Sequence, residues 1–227
     1  MNPTSRQRST RDRPAKAPLS EEAVVDAALA ILKSEGLEAV TMRRVGAALD
    51  TGAASLYVYV AGREGLLLAM QDRVFATVEL EAPDPARWRT QLHVLLARMH
   101  RALVTHPGIA ATAMAEPPKT EAALLLVENL LGILLAGGLD TQDAAWGADV
   151  FALLVNYAAM EADVRRADHQ EQADELYRNF TALPPDRFPL ITAHAGQLVA
   201  GDPEERFRVS IDVVIDGLLA RTARARP

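Results

Sequence analysis

Cysteine is absent from this 227-residue chain. Its absence excludes disulfide bonds, thiolate nucleophiles and zinc sites built on cysteine. Long apolar runs are absent too, since none reaches the roughly 18 residues of a membrane-spanning helix. No hydrophobic stretch follows the charged N-terminus, as it would in a signal peptide. We therefore expect a cytoplasmic protein without membrane partners.

The sequence patterns of common enzyme classes are also missing. There is no HExxH, no GxSxG, no phosphate-cradling glycine loop and no paired acid motif. The 5 histidines and 30 carboxylates allow a chance dyad, but no spacing organises them. We expect no enzyme activity, no metal site and no cofactor.

What the chain does contain is apolar and unevenly charged. Hydrophobic residues make up 49% of it, enough for one small and one larger helical domain with real cores. The net charge of −6 disfavours nucleic acid as a partner. Residues 1–75, however, carry 10 Lys and Arg against 9 Asp and Glu, whereas the remainder carries 14 against 21. The N-terminal third is therefore the end suited to DNA.

The stretch from Thr41 to Arg63 predicts two short helices joined by a tight turn. Helical spacing gives the first helix one apolar face, formed by Met42, Val45 and Leu49. Asp50-Thr51-Gly52 breaks this helix, because glycine permits a positive φ and aspartate tolerates it. Leu56 is the expected core residue of the second helix. This spacing is that of a helix-turn-helix.

Helical periodicity continues through the rest of the chain. A first helix is predicted over 19–35 and a fourth over 63–80. Further helices are predicted over 87–105, 120–136, 140–162, 171–181 and 202–223. The helix over 120–136 is dense in leucine, so we expect it to be buried on most sides. The fold class is therefore all-α.

Residues 19–80 resemble the DNA-binding domain of the tetracycline-repressor (TetR) family. The resemblance rests on Ser20-Glu21-Glu22 at the first helix and on S-L-Y-V-Y-V-A-G-R-E-G-L-L from Ser55. Ala136-Gly-Gly-Leu-Asp140 and the segment from Phe207 to Leu218 are similar to the C-terminal domain of the tetracycline-repressor subgroup. The implied domains are a helix-turn-helix DNA-binding domain over 19–62 and a ligand-binding and dimerisation domain over 63–227.

The resemblance implies DNA contacts at Thr41, Arg43, Arg44, Ala53, Ala54, Ser55, Tyr57, Tyr59 and Arg63. Arg43 has the fork geometry for guanine O6 and N7, a contact that discriminates by about 1–3 kcal/mol. The polar residues from Ser55 to Arg63 are better suited to phosphates, whereas for Arg44 a solvated charge is the favoured interpretation. Asp50 replaces the usual glycine of the turn, and Ala53-Ala54 replaces more polar residues, which bears on the operator sequence.

The N-terminal segment 1–18 is a basic arm. It carries Arg6, Arg8, Arg11, Arg13 and Lys16 against Asp12 alone. With few apolar groups, it is expected to be disordered. Two interpretations remain open, a solvated tail and an arm that touches the DNA backbone or minor groove.

The resemblance further implies a homodimer in which the helices over 140–162 and 202–223 pair with their mates. The expected interface residues are Val150, Phe151, Leu154, Phe207, Ile211, Val214 and Leu218. The expected ligand-binding residues interrupt or line apolar stripes and are Met99, His100, Leu103, Met114, Trp146, Asn156, Tyr157 and Met160. Tetracycline is not expected as the ligand, because the histidines of the namesake site would fall near Glu79 and Ala113.

The sequence thus predicts a ligand-responsive one-component transcriptional regulator. It would be a repressor that binds a palindromic operator as a dimer and is released by a small-molecule effector. The alternative is a helical protein that binds or sequesters a small molecule without specific DNA binding, which Ala53 and Ala54 make conceivable.

Overall fold

The computed structural model describes residues 18–115, 117–164 and 169–225. These residues are helical and contain no β-strand, so the predicted all-α class is confirmed. The helices are α1 (Glu21–Glu35), α2 (Met42–Ala48), α3 (Ala53–Leu56), α4 (Gly62–Phe75), α5 (Trp88–Val104), α6 (Ile109–Ala115), α7 (Glu121–Ala136), α8 (Thr141–Val164), α9 (His169–Thr181), α10 (Pro189–Ala193), α11 (Ala195–Val199) and α12 (Pro203–Ala225). The basic arm predicted over 1–18 lies outside the described residues, apart from Pro18.

Helix α1 begins and ends at local sequence signals. The Ser20 hydroxyl accepts a hydrogen bond from the Ala23 amide at 3.2 Å and so caps the N-terminus. Gly36, with φ of 87°, ends the helix in a conformation that disfavours other residues. The buried side of α1 consists of Val24, Val25, Ala28, Ile31 and Leu32.

Helix α4 is shorter than predicted and joins the N-terminal helices to the rest of the chain. It ends at Phe75 rather than near residue 80. The Thr77 hydroxyl donates to the Val74 carbonyl at 2.7 Å, and the Val78 amide donates to the Phe75 carbonyl at 3.0 Å, which closes a tight turn. Helix α4 packs against α1 on one side and against α5, α6 and α7 on the other.

Helix α8 is the centre of the larger domain. It packs against α5, α6, α7 and α12, and its Phe151 and Val155 are fully buried. The Asp140 carboxylate starts it by accepting from the Gln142 and Asp143 amides, both at 2.9 Å. Helix α12 starts in a similar way, because the Asp202 carboxylate accepts from the Glu205 amide at 2.7 Å.

The region between α8 and α12 contains more helix than predicted. Helix α9 begins at His169, and α10 and α11 occupy 189–199, for which no helix was predicted. These three helices pack against one another. No helix in the described part of the chain is long and apolar enough to cross a membrane.

The prediction that α7 is buried on most sides is wrong. Helix α7 packs against α4, α5 and α8, and its opposite side faces solvent. Leu124 is 51% exposed and Leu125 is 50% exposed. A leucine-rich sequence therefore did not distinguish a helix covered on all sides from one at the edge of the domain.

Candidate nucleic-acid interface and ligand site

Helices α2 and α3 meet at a glycine. A Cβ atom on Gly46 would lie 3.0 Å from the Thr51 carbonyl oxygen and 3.2 Å from the Ala53 amide nitrogen. The Thr51 amide donates to the Gly46 carbonyl at 2.8 Å. Because both close contacts are backbone atoms, the crossing of α2 and α3 depends on the missing side chain.

The turn between the two helices differs in one detail from its prediction. Asp50 takes the positive φ, at 51°, and Gly52 is extended with φ of −79° and ψ of 149°. Aspartate reaches the left-handed region more readily than most residues because of its short polar side chain. The turn is therefore made by Asp50, the residue that departs from the family pattern.

The second helix of the unit is a single turn, Ala53–Leu56. Helix α3 ends at Leu56, which is fully buried as expected. Beyond it the chain continues as turns, in which the Tyr59 and Val60 amides both donate to the Leu56 carbonyl, at 2.9 and 3.1 Å. The aromatic and β-branched run from Tyr57 to Val60 has low helix propensity, which accounts for the early end.

Most of the predicted DNA-contacting residues are exposed. The exposed ones are Thr41, Arg43, Arg44, Ala54, Ser55, Tyr57 and Arg63, and the half-buried ones are Ala53 and Tyr59. Tyr59 packs against the core, so only part of its ring is available to a partner. Val58, which was not predicted, is 82% exposed. Nothing in the sequence distinguished Val58 from the apolar residues of the core.

Arg44 has a partner within the chain. Its Nε donates to Glu35 Oε2 at 3.1 Å, and its Nη2 donates to Glu35 Oε1 in a second bond. The hydrogen bond from Arg44 lowers the pKa of Glu35. Arg44 is therefore neither a free solvated charge nor an unengaged phosphate ligand, since it ties α2 to the end of α1.

Arg63 also has an internal role that the sequence did not indicate. Its Nε donates to the Val40 carbonyl at 3.1 Å, and its Nη2 lies 3.5 Å from the Leu37 carbonyl. These bonds hold α4 against the linker between α1 and α2. Part of the guanidinium is therefore engaged within the chain, and a contact between Arg63 and phosphates stays a prediction. The Arg43 guanidinium, in contrast, makes no hydrogen bond or ion pair with any residue that the structure describes.

Some predicted ligand residues belong to the core of the larger domain. Met99 and Leu103 on α5 are buried. His100 is half-buried, and its ring stacks on Phe207 with centroids 5.0 Å apart. Burial lowers the pKa of His100, although a hydrogen bond with the Ala158 backbone opposes that effect. His100 therefore favours its neutral form at neutral pH.

Asn156 carries an unsatisfied buried acceptor. Its Nδ2 donates to the Ala152 carbonyl at 2.9 Å. Because a carbonyl cannot donate, this bond fixes the orientation of the amide. The Asn156 Oδ1 atom is buried and has no hydrogen-bond partner among the residues that the structure describes. Such an atom is costly unless something donates to it, so Asn156 suits a ligand with a hydrogen-bond donor.

The other predicted ligand residues do not enclose a pocket. Exposed fractions are 48% for Met114, 51% for Trp146, 63% for Tyr157 and 37% for Met160. The Arg221 guanidinium lies over the Trp146 ring at 5.1 Å. Tyr157 lines an open cleft of about 890 Å³. The same cleft is lined by α9, including Asn179, by the loop before α12, and by Arg206 in the first turn of α12.

The predicted dimer-interface residues fall into two groups, those buried within the chain and those at least partly exposed. Phe151, Ile211 and Leu218 are buried inside the chain, because α8 and α12 pack against each other. A Cβ on Gly147 of α8 would lie 2.8 Å from the Leu218 side chain. These three residues are therefore corrected from interface to core. Leu154, Phe207 and Val214 are half-buried, and Val150 is exposed.

The exposed apolar residues of α8 and α12 form two stripes. Helix α8 exposes Trp146, Val150, Leu153, Tyr157 and Met160, and α12 exposes Val209 and Val213. The spacing on α8 alternates between four and three residues, which places the five side chains on one face of the helix. Apolar stripes of this kind mark an association surface. We call these seven residues the α8–α12 stripes.

A polar network holds α8 to α12 beside these stripes. The buried Asp143 carboxylate accepts from Arg221 Nε and from the Thr222 hydroxyl, both at 2.9 Å. The hydrogen bond from Arg221 lowers the pKa of Asp143. This network therefore joins the start of α8 to the last turns of α12, beside the stripes.

Comparison with known proteins finds a family match for an N-terminal and for a C-terminal region of the chain. Residues 24–70 match the family of bacterial regulatory proteins described as the tetR family. Residues 82–222 match the tetracyclin repressor-like C-terminal domain.

Individual relatives are similar along most of their length. An HTH-type transcriptional regulator of Saccharopolyspora erythraea is 28% identical over 89% of this chain and 85% of its own length. The HTH-type transcriptional repressor DrrR1 of Streptomyces coeruleorubidus is 28% identical over 94% of this chain and 83% of its own. The crystal structure of ActR from Streptomyces coelicolor in complex with actinorhodin has a TM-score of 0.85 and 34% identity, covering 92% of this chain and 99% of ActR.

Proposed function

This chain belongs to the tetracycline-repressor family of bacterial transcriptional regulators, and we propose that it is a ligand-responsive repressor that binds a palindromic operator as a homodimer. We assign DNA binding to residues 19–62, and ligand binding and dimerisation to 63–227. Such a regulator works in the cytoplasm, where its operator lies. The observation that carries the proposal is the α2–α3 crossing at Gly46, which presents an exposed helix-turn-helix.

Base reading in this proposal depends mainly on Arg43. Its guanidinium is exposed and has no partner in the described chain, whereas Arg44 is bound to Glu35 and Arg63 to backbone carbonyls. A free guanidinium is suited to a bidentate contact with guanine. Exposed Ser55 and Tyr57 carry hydroxyl groups that suit phosphates.

Arg43→Ala is expected to weaken binding to the preferred duplex by about 10–100-fold, the range of one lost guanine contact. It should also relax the preference at one base position in each half-site. Arg101→Ala is the matched control, because Arg101 is exposed on α5, outside the DNA-binding unit, and it should change the affinity by about threefold or less. Equal losses for both variants, with no change in base preference, would remove Arg43 from the base-reading role.

Specific binding requires two copies of the unit. One short recognition helix offers few base contacts, so useful affinity comes from two units on two half-sites. The α8–α12 stripes supply a surface for the second copy, because the same apolar residues meet their counterparts across a twofold axis. Sedimentation of the protein with a duplex should give two chains for each operator.

The effector in this proposal binds in the larger domain. The relative ActR has been crystallised with actinorhodin, which makes actinorhodin a first compound to test. The unpartnered Asn156 Oδ1 atom, on the same helix as the stripes, offers an acceptor to such a ligand. The dimer binds the operator only when its two DNA-binding units are spaced to match the half-sites. A ligand that binds more tightly to a conformer with a different spacing therefore lowers operator affinity, by the ratio of its affinities for the two conformers.

A further inference from the structure

A carboxylate on α4 caps the N-terminus of α7. Asp72 Oδ1 accepts a hydrogen bond from the Ala122 amide at 2.8 Å. Ala122 is the second residue of α7, and amides in the first turn of a helix have no partner within it. A negative charge at this position also interacts favourably with the helix dipole. Helix α4, which follows the DNA-binding unit, is therefore bound to α7 through one defined pair of atoms.

Helix α7 carries a second cap that is not used. Thr120 occupies its N-cap position, with φ of −87° and ψ of 156°, the extended backbone that a capping residue needs. A threonine there ordinarily accepts from the second or third amide of the helix. Its side chain makes no capping bond, and its Oγ1 atom is buried without a partner among the residues that the structure describes. Thr120 is thus a potential second cap at the N-terminus where Asp72 already binds the Ala122 amide.

The junction around this bond is loosely packed. A cleft of about 220 Å³ lies between the end of α4 and the start of α7. It is lined by Phe75, Ala76, Val78, Leu80, Glu121, Ala122, Leu125 and Leu126. Met70 and Val74, which flank Asp72 on α4, are fully buried. The chain from Phe75 onwards therefore borders open space beside α7, whereas Asp72 itself lies in the packed part of α4.

We propose that Asp72 is a latch that holds α4 on α7 in the operator-binding conformer, and that Thr120 takes over the Ala122 amide when the latch opens. The inference rests on the proposed function and deepens it by assigning the regulatory contact. With the reserve cap in place, opening the latch leaves the Ala122 amide bonded. The two positions of α4 then differ little in free energy, so that an effector of modest differential affinity can shift the population.

The first test is a double-mutant cycle on thermal stability that requires no DNA. Thr120→Val should leave Tm almost unchanged, because the hydroxyl that it removes has no partner. Asp72→Ala should lower Tm only slightly, because Thr120 replaces the cap. The double variant should fall by about 2–4 °C more than the sum of the two, the size of one lost cap in a chain of this length.

Additive effects, with Thr120→Val costing the same in both backgrounds, overturn the reserve cap. Hydrogen exchange at the Ala122 amide gives a second reading. The amide should stay protected in either single variant and lose its protection in the double variant. Fast exchange in Asp72→Ala alone shows that Thr120 does not take over, and the proposal fails.

The second test asks whether the latch serves operator binding. Asp72→Ala should weaken binding to the selected duplex by about 5–30-fold, within the range of a typical coupling free energy. Asp26→Ala is the matched control. It also removes an exposed carboxylate that bonds α4, through Arg73 at 2.8 Å, but Asp26 lies on α1, so the lost bond joins α4 to α1 and not to α7. The control should stay within about threefold of wild type.

The two tests separate failure of the latch from failure of the proposed function. Unchanged operator affinity in Asp72→Ala, beside a fallen Tm in the double variant, makes the bond structural only and overturns the latch. A wild-type protein that binds no duplex at all contradicts the proposed function, and the operator role of Asp72 with it. The stability cycle would still show in that case whether the two oxygens share one amide.

Discussion

Val213→Glu is expected to abolish dimerisation and, with it, specific operator binding. Val213 is 66% exposed on α12, one helical turn after the exposed Val209 and on the same side of the helix. In a twofold interface the substitution places two carboxylates in the contact, one from each copy. Burying an unpaired charge costs several kcal/mol. Sedimentation should therefore give a monomer, and operator affinity should fall by about 1000-fold or more.

Leu190→Glu is the matched control for this variant. Leu190 on α10 is 73% exposed and so loses no more packing than Val213 within the chain, but it lies outside the α8–α12 stripes. This control should remain a dimer with wild-type operator affinity. A Val213→Glu protein that is still dimeric would contradict the assignment of the stripes, and a monomeric Leu190→Glu protein would move the interface to α10.

Gly46→Val is expected to remove operator binding while leaving the dimer intact. The first side-chain atom alone would approach two backbone atoms, at 3.0 and 3.2 Å, and the branched methyl groups of valine add to the crowding. Because backbone cannot rotate away as a side chain does, α2 and α3 must separate. The two-helix unit would lose its geometry, and operator affinity should fall by about 100-fold or more.

The control for Gly46 is a glycine with open space around it. A Cβ on Gly196 of α11 meets nothing within 4 Å, so Gly196→Ala should preserve operator binding. Gly46→Ala should lie between the two, since the neighbouring atoms need to move by only a few tenths of an ångström. Full operator binding by Gly46→Val would show that the crossing of α2 and α3 is not what positions the reading helix.

Features set by neighbouring residues were predictable from the sequence. Ser20 caps α1 and Asp202 caps α12 because a capping side chain bonds an amide three residues away. The C-terminal end of α4, in contrast, was not predicted correctly from the apolar pattern. Val78 continues the apolar pattern of α4, but the Thr77 hydroxyl bonds the Val74 carbonyl and the helix ends.

Contacts between distant segments were not predictable. The Arg63 guanidinium bonds the Val40 carbonyl 23 residues away, and backbone acceptors leave no trace in the sequence. Helix α8 shows a second limit of periodicity. The consecutive α8 residues Val150 and Phe151 are both apolar, yet Val150 is 40% exposed and Phe151 is fully buried. Apolar character alone does not tell whether a residue packs on its own chain or on a second copy.

The most direct test of the central claim is selection of duplexes from a random pool by the purified full-length chain at near-physiological salt. A specific regulator should enrich a palindrome with two half-sites, and binding to it should weaken as salt rises. Non-specific binding alone would leave the pool without a shared sequence. No enrichment at any salt would contradict a DNA-binding repressor and would favour a protein that sequesters a small molecule.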